Sequence, residues 1–256
     1  MSNKGPKVLF FDVETAPILA YSWGIWDQNI GLNQIKEDWF ILSWSAKWLG
    51  DDKIMYMDQR NARRVNNDKK LLKAIWKLLD DADIVVTQNG KSFDQKKLYA
   101  RFIMNDMPPP SSFQHHDTKR MASKHFAFTS NKLEYLSDKL NKKYRKIKNS
   151  GFTLWTRCLD GDLSAWKEME EYNKHDVLAL EELYVKLRVW EPTVNYSAYK
   201  EDGIRRCVCG NNKFSNKGYA YTSVGKYKRY KCTKCGKNYQ SRTNLLTKEH
   251  KSRLLK

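Results

Sequence analysis

The chain has 256 residues, 41% apolar and 13% aromatic with 9 Trp and 14 Tyr, enough to build a packed core and to exclude disorder as the main state despite a mean hydropathy of −0.76. Lys and Arg number 47 against 29 Asp and Glu, a net charge of +18 and a pI near 9.6, too basic for an ordinary metabolic enzyme and suited to a polyanionic partner: nucleic acid, acidic lipid or acidic protein. No window reaches the ~18 to 20 consecutive apolar residues of a membrane span, and Met1 to Lys7 leads into an apolar strand without a signal-peptide pattern, so a soluble cytoplasmic protein with no membrane partner is expected.

In chain order, Lys7 to Val13 (KVLFFDV) reads as a β-strand, and Phe40 to Trp48 and Lys53 to Asp58 as two more, joined by the turn Leu49-Gly50-Asp51-Asp52. Three strands in close succession suggest an antiparallel start. The rings of Tyr21, Trp23 and Trp26 could stack on bases, but alternating aromatics beside a sheet read as core. Asp68 to Asp81 places Leu71, Leu72, Ile75, Leu78 and Leu79 at helical spacing, and Asp83 to Gln88 follows as a short strand, an α/β layer. After the Asn89-Gly90 turn, Ser92 is positioned to cap a helix running to about Asn105, ahead of Pro108-Pro109-Pro110. Helices are expected near Asp117 to His125 and Asn131 to Leu140. A basic loop (Lys142, Lys143, Arg145, Lys146, Lys148) and a long helix from about Asp162 to Arg188 follow. Glu191 to Asp202 is polar, Pro-containing and aperiodic, and reads as a linker.

The charge is uneven. Residues 200–256 carry 16 Lys and Arg against 3 acids, a net +13, which leaves about +5 for the first 199 residues and marks the tail as a separate module. Four of the five cysteines fall in that tail in closely spaced pairs, a pattern better suited to metal ligation in a reducing compartment than to disulfides.

Three acidic elements carry the chemistry. In Phe11-Asp12-Val13-Glu14-Thr15, residues two apart on a strand share a face, so Asp12 and Glu14 project together, and a divalent cation is the most direct way to neutralise such a pair. Asn89-Gly90-Lys91-Ser92-Phe93-Asp94 puts Asp94 in the first turn of a helix, where its charge suits the helix dipole. Tyr172-Asn173-Lys174-His175-Asp176 sets Tyr172 and Asp176 on one face of the long helix.

With these residues the sequence resembles the DEDD exonuclease superfamily of ribonuclease H-like fold, specifically its DEDDy branch: an Asp-x-Glu on the first strand, an Asp in an Asn-x-x-x-Phe-Asp-like context after a later strand, and a Tyr-x-x-x-Asp on a late helix. The sister branch has a His five residues before the last Asp. That position is Glu171 here, so the Tyr form fits better. The resemblance covers about residues 7–190 and implies an α/β fold, a mixed sheet flanked by helices. It further implies two Mg²⁺ or Mn²⁺ ions bound by Asp12, Glu14, Asp94 and Asp176, with Asp12 bridging, Asp94 supporting and Tyr172 orienting the attacking water. The implied activity is 3′–5′ exonuclease, releasing 5′-mononucleotides. Hard oxygen donors independently favour Mg²⁺ or Mn²⁺ over zinc at such a site. The carboxylate spacing alone does not distinguish exonuclease from endonuclease; polarity comes from the resemblance. Asn89 and Lys91, and Lys143 and Arg145 of the basic loop, are candidate contacts to the nucleic-acid backbone.

In the tail, Cys207-Val208-Cys209-Gly210 and Cys232-Thr233-Lys234-Cys235-Gly236 match a tetrahedral structural Zn²⁺ site, although the first pair has one intervening residue where the usual knuckle has two. The segment resembles the zinc ribbons attached to transposases and other nucleic-acid proteins. Its tyrosines interleave with Lys226, Lys228, Arg229 and Lys231, suiting phosphate contact plus stacking. The expected organisation is a ribonuclease H-like exonuclease domain over 1–192, a linker over 193–203 and a nucleic-acid-binding zinc ribbon over 204–256. Similar stand-alone exonucleases occur in phages. The partner is DNA, as single strands or 3′ ends, or RNA, with replication or repair proteins as candidate protein partners. Two other readings stand beside the exonuclease: a ribonuclease H-like endonuclease or transposase-type nuclease, in which Tyr172 has no role, and a non-catalytic nucleic-acid-binding adaptor, which gains nothing from four clustered carboxylates.

Overall fold

The computed structural model describes residues 5–199 and 202–255. The chain divides into two compact units, one over Lys7–Tyr184 and the other from Val185 onward, to which Gly5 and Pro6 also belong. The first contains β1 (Val8–Thr15), a small ribbon of β2 (Leu19–Ala20) and β3 (Ile35–Glu37), then β4 (Ile41–Trp48), β5 (Ile54–Asp58), α1 (Lys69–Asp80), β6 (Ile84–Thr87), α2 (Asp94–Met104), β7 (Gln114–Asp117), α3 (Thr118–His125), α4 (Leu133–Leu140), α5 (Phe152–Leu159) and α6 (Leu163–Leu187), which runs past its end. The main sheet has the order β5-β4-β1-β6-β7; β4 is antiparallel to β1 and β5 to β4, whereas β6 and β7 run parallel to β1. It is the expected mixed sheet flanked by helices.

Alternation along β1 divides the unit into two layers. Leu9, Phe11 and Val13 pack with Leu71, Leu72 and Ile75 of α1 and with Leu98 and Phe102 of α2. On the other face, Phe10 meets Tyr184 of α6 edge to face, ring centroids 5.5 Å apart. Strand periodicity therefore turns Asp12 and Glu14 toward α6. A second cluster joins Phe40 and Leu42 to Leu154 of α5 and to Trp166 and Met169 of α6. Buried Asp68 ties α1, α2 and β4 together, accepting from the Ile41 N–H at 2.9 Å and pairing with Arg101 at 2.7 Å.

Several local expectations are revised. Ser92 does not cap α2: the helix starts at Asp94 after Phe93 with no side-chain cap. Strand β7 (QHHD) lacks the apolar alternation that marks strands, and polar bonds secure it. His115 lies 2.7 Å from both the Thr87 hydroxyl and Gln95, and His116 lies 2.8 Å from the Tyr184 hydroxyl. Helix α5 was also unanticipated. The aromatic segment after β1 is not core: Tyr21, Trp23 and Trp26 are 67%, 100% and 79% exposed.

The C-terminal unit is an antiparallel sheet of β8 (Phe214–Thr222), β9 (Gly225–Cys232) and β10 (Asn238–Gln240), ordered β10-β9-β8, followed by α7 (Lys248–Ser252). Residues 193–199, expected as linker, are built into this unit. Val194 and Tyr196 are buried, and Lys237, also buried, donates to the carbonyls of Arg188, Glu191 and Val194. A buried ammonium requires such acceptors, which holds the segment in place.

Candidate active site

Three segments bring four carboxylates together. Asp12 and Glu14 come from β1. Asp94 opens α2 and accepts from the Val13 N–H at 3.2 Å, a bond made where β1 extends past its last β6 partner, Phe10. Asp176 comes from the middle of α6, and Asn173, one turn earlier, donates from its side-chain amide to Asp12 Oδ2 at 2.6 Å. Asp94, Asn173 and Asp176 are all buried.

The acids strain one another. Burial, then the charges of Asp94, Glu14 and Asp176, push the Asp12 carboxyl well above the usual carboxylate range. Burial and Asp176 push Glu14 up to about 8, and burial pushes Asp94 up to about 7 although Val13 N–H opposes the shift. Asp176 is also raised by burial, against the pull of Lys146. Its Oδ1 is buried without a hydrogen-bond partner. Electrostatically coupled carboxylates with raised proton affinity, one of them with an orphaned oxygen, are a donor set that suits hard divalent cations, although among the described residues the four cysteines alone have their ligand atoms within 4.8 Å of one another.

Tyr172 is buried beside the acids, its ring edge-on to Trp155 of α5. Burial, followed by the charges of Asp176 and Glu14, holds the Tyr172 hydroxyl in its protonated form. Lys146 donates to that hydroxyl at 2.8 Å and to Asp176 Oδ2 at 2.6 Å. Sequence reasoning saw Lys146 only as one member of a basic loop. Its placement depends on anchors far along the chain: Asn141 Nδ2 donates to the Ala179 carbonyl at 2.8 Å, Glu182 accepts the N–H groups of Lys142, Lys143 and Tyr144, and the Lys146 N–H reaches Ser137 Oγ at 3.0 Å. His175 contributes to the same anchoring, 2.5 Å from the Arg145 carbonyl. A cleft of about 310 Å³ lined by Lys146, Lys148, Asn149 and Tyr172 opens beside this group.

The other candidate residues stand in the two loops that flank these elements. Asn89 adopts φ +68° in the turn after β6, and its side chain accepts from Lys119 Nζ at 3.2 Å. Buried Asp117 accepts the N–H groups of both Asn89 and Lys91. Gly90 cannot carry a side chain there, because a Cβ would stand 2.3 Å from Thr87 Oγ1. These bonds account for the shape of the turn. Lys143 and Arg145 point outward, Arg145 lying 3.8 Å from Asp138.

In the C-terminal unit the Sγ atoms of Cys207, Cys209, Cys232 and Cys235 all lie within 4.8 Å of one another, with Cys207 to Cys235 at 3.3 Å and Cys209 to Cys232 at 3.6 Å. A tetrahedron of ~2.3 Å zinc–sulfur bonds has edges of about 3.8 Å, so the four thiols fit one Zn²⁺. Gly210 and Gly236 take φ +83° and +76° and close each knuckle by donating to the carbonyls of Cys207 and Cys232, a conformation that favours glycine. Burial works to raise the Cys232 thiol, yet the Cys235 N–H, the Asn211 amide and the Lys234 N–H outweigh it and bring the thiol to about 6. The basic candidates of β9 divide by strand alternation: Lys226 and Lys228 share one face with Tyr230, and Arg229 and Lys231 the other. Arg229 Nε donates to the Lys217 carbonyl at 3.0 Å.

A family model described as the RNase H superfamily matches residues 9–188. A search of curated proteins finds no match. Among solved structures the chain is similar to the family B DNA polymerase from the hyperthermophilic archaeon Pyrobaculum calidifontis, with a TM-score of 0.55 and 13% identity over 73% of this chain and 25% of the polymerase. The chain thus spans about a quarter of that protein's length, and at this identity the likeness concerns the fold. Among the described residues no helix is long and apolar enough to cross a membrane.

Proposed function

The chain belongs to the RNase H superfamily, and on that premise we propose that it is a DEDDy-type 3′–5′ exonuclease that hydrolyses phosphodiester bonds of DNA or RNA and grips the strand with a zinc ribbon. The observation that carries this reading is the convergence of Asp12, Glu14, Asp94 and Asp176 beside a buried Tyr172, each carboxyl held above its ordinary pKa. Exonuclease direction follows from the resemblance of the three motifs.

Asp12, Glu14, Asp94 and Asp176 would hold Mg²⁺ or Mn²⁺. Such ions, when bound, offset the charge developing on the scissile phosphate and acidify a coordinated water. The chain's own residues then have defined tasks. Asn173 fixes one oxygen of Asp12, and the Val13 N–H fixes Asp94, so both carboxylates are positioned before cations arrive. Tyr172 accepts from Lys146, so its one hydroxyl proton is left to donate toward the acids, where it would orient the attacking water. Lys146 shares its ammonium with Asp176, places positive charge beside the acids and keeps Tyr172 in register. Cys207, Cys209, Cys232 and Cys235 would hold one structural Zn²⁺, on which so small a sheet depends for its fold.

The test is incubation of 3′- and 5′-labelled single and double strands of DNA and RNA with Mg²⁺ or Mn²⁺, beside Asp12→Ala. Stepwise erosion from the 3′ end supports the proposal. Internal cuts would replace it with an endonuclease, and binding without cleavage would replace it with an adaptor.

A further inference from the structure

The C-terminal unit contains a groove of about 540 Å³, within the ~300 to 1,000 Å³ range of small-ligand sites. Its lining combines cations and rings: Arg205, Lys228 and Arg242 with Tyr230, Tyr239 and Phe214. The Arg205 guanidinium lies over the Tyr230 ring, 4.6 Å from the centroid. Phe214 and Tyr239 pack edge to face, centroids 5.6 Å apart. Arg206, also at the groove, is engaged by Asp202. Among the described residues Arg205, Lys228 and Arg242 have no carboxylate partner within ion-pair distance, and no acid lines the groove. Stacked planar groups beside uncompensated cations form a surface for a planar ring that carries a negative charge.

We propose that this groove holds one unpaired nucleotide of a single strand, its base against the Arg205–Tyr230 stack and its phosphate between Lys228 and Arg242. The guanidinium covers one face of Tyr230 and offers its own outer face to the base. The side-chain amide of Gln240, and the Nδ2 of Asn195, whose Oδ1 already accepts from the Ser197 N–H at 3.0 Å, also lie in the lining and suit base edges. The proposal rests on the reading that the chain acts on nucleic acid. It assigns the grip to the Lys228–Tyr230 face of β9 and removes Arg229 and Lys231, on the opposite face, from the contact set.

The test uses the full chain carrying Asp12→Asn, so that binding is read without cleavage, and compares a fluorescent oligothymidylate with an abasic strand of equal length. The base-bearing strand should bind roughly tenfold more tightly, the scale of one base–aromatic stack. Tyr230→Leu and Arg205→Ala should each bring the two strands to near parity, whereas Tyr230→Phe should keep the preference. Arg242→Ala should weaken both strands equally and lower the slope of log affinity against log salt by about one. Retained zinc content and an unchanged melting temperature certify each variant. An unchanged preference in both Tyr230→Leu and Arg205→Ala would overturn the proposal, as would displacement of the strand by a free 5′-mononucleotide at equal molar concentration. Failure of the nuclease reading shows separately, as absence of cleavage by the unsubstituted chain.

Discussion

Replacing Glu14 by Gln should stabilise the chain when no divalent cation occupies the acids, although Glu14 is central to the proposed chemistry. Its carboxyl is lifted from 4.5 to about 8 by burial and by Asp176. A folded-state pKa above the unfolded value means that this group's contribution to stability is full below about pH 4.5 and is lost as the pH rises through about 8. A shift of this size is worth up to about 5 kcal/mol once Glu14 is fully ionised. Because the four acids share the strain, one substitution should recover about 2 to 4 kcal/mol. For a domain of this size that raises the melting temperature by about 5 to 15 °C. Gln is nearly isosteric with Glu and keeps one side-chain oxygen, so packing changes little. The assay is thermal melting of both proteins in Mg²⁺-free, zinc-containing buffer at about pH 8.5 and about pH 5, where the difference should shrink below about 1 kcal/mol. Adding Mn²⁺ at the higher pH should raise the unsubstituted chain more than the variant. A Glu14→Gln protein that melts lower at the higher pH, or whose difference ignores pH, would refute the reasoning.

Asp12→Ala and Asp176→Ala should each reduce cleavage by at least about a thousandfold, about 4 kcal/mol of lost transition-state stabilisation, while circular dichroism stays unchanged. Lys146→Met should lower kcat roughly a hundredfold, the scale of one misplaced charged donor. Because Lys146 holds the Asp176 carboxyl down, the rising limb of the pH–rate profile should also move to higher pH; an unmoved limb would leave Lys146 with no electrostatic role. Cys232→Ser should abolish binding of one zinc per chain, read by metal analysis, and flatten the salt dependence of strand binding. Trp23→Ala should change the melting temperature by no more than about 2 °C, as expected of a surface substitution within ~0.5 kcal/mol; a larger loss would show that the ring is covered.

What was legible in the sequence follows from periodicity. The helical spacing of Leu71, Leu72, Ile75 and Leu79 and the alternation along β1 follow directly from the geometry of helix and strand. They are also what turn Asp12 and Glu14 toward α6, so the local part of the acid cluster was readable. Asn173 could have been singled out, since a polar residue one helical turn before Asp176 shares its face. Lys146 could not. Nothing distinguishes it locally from Lys142 or Lys148, and its position depends on Asn141, Ser137 and Glu182, whose bonds reach along α4 and α6. Strand β7 is hidden in the sequence because polar bonds of His115 and His116 secure it instead of apolar alternation, and the Tyr21–Trp26 segment alternates without being buried.

The most direct test of the central claim is hydrolysis of a single strand in heavy-oxygen water with Mn²⁺, with products identified by mass. The account predicts 5′-mononucleotides bearing one heavy oxygen on the phosphate, released in order from the 3′ end, and none from Asp12→Asn. Oligonucleotide fragments, or equal release by Asp12→Asn, would contradict it.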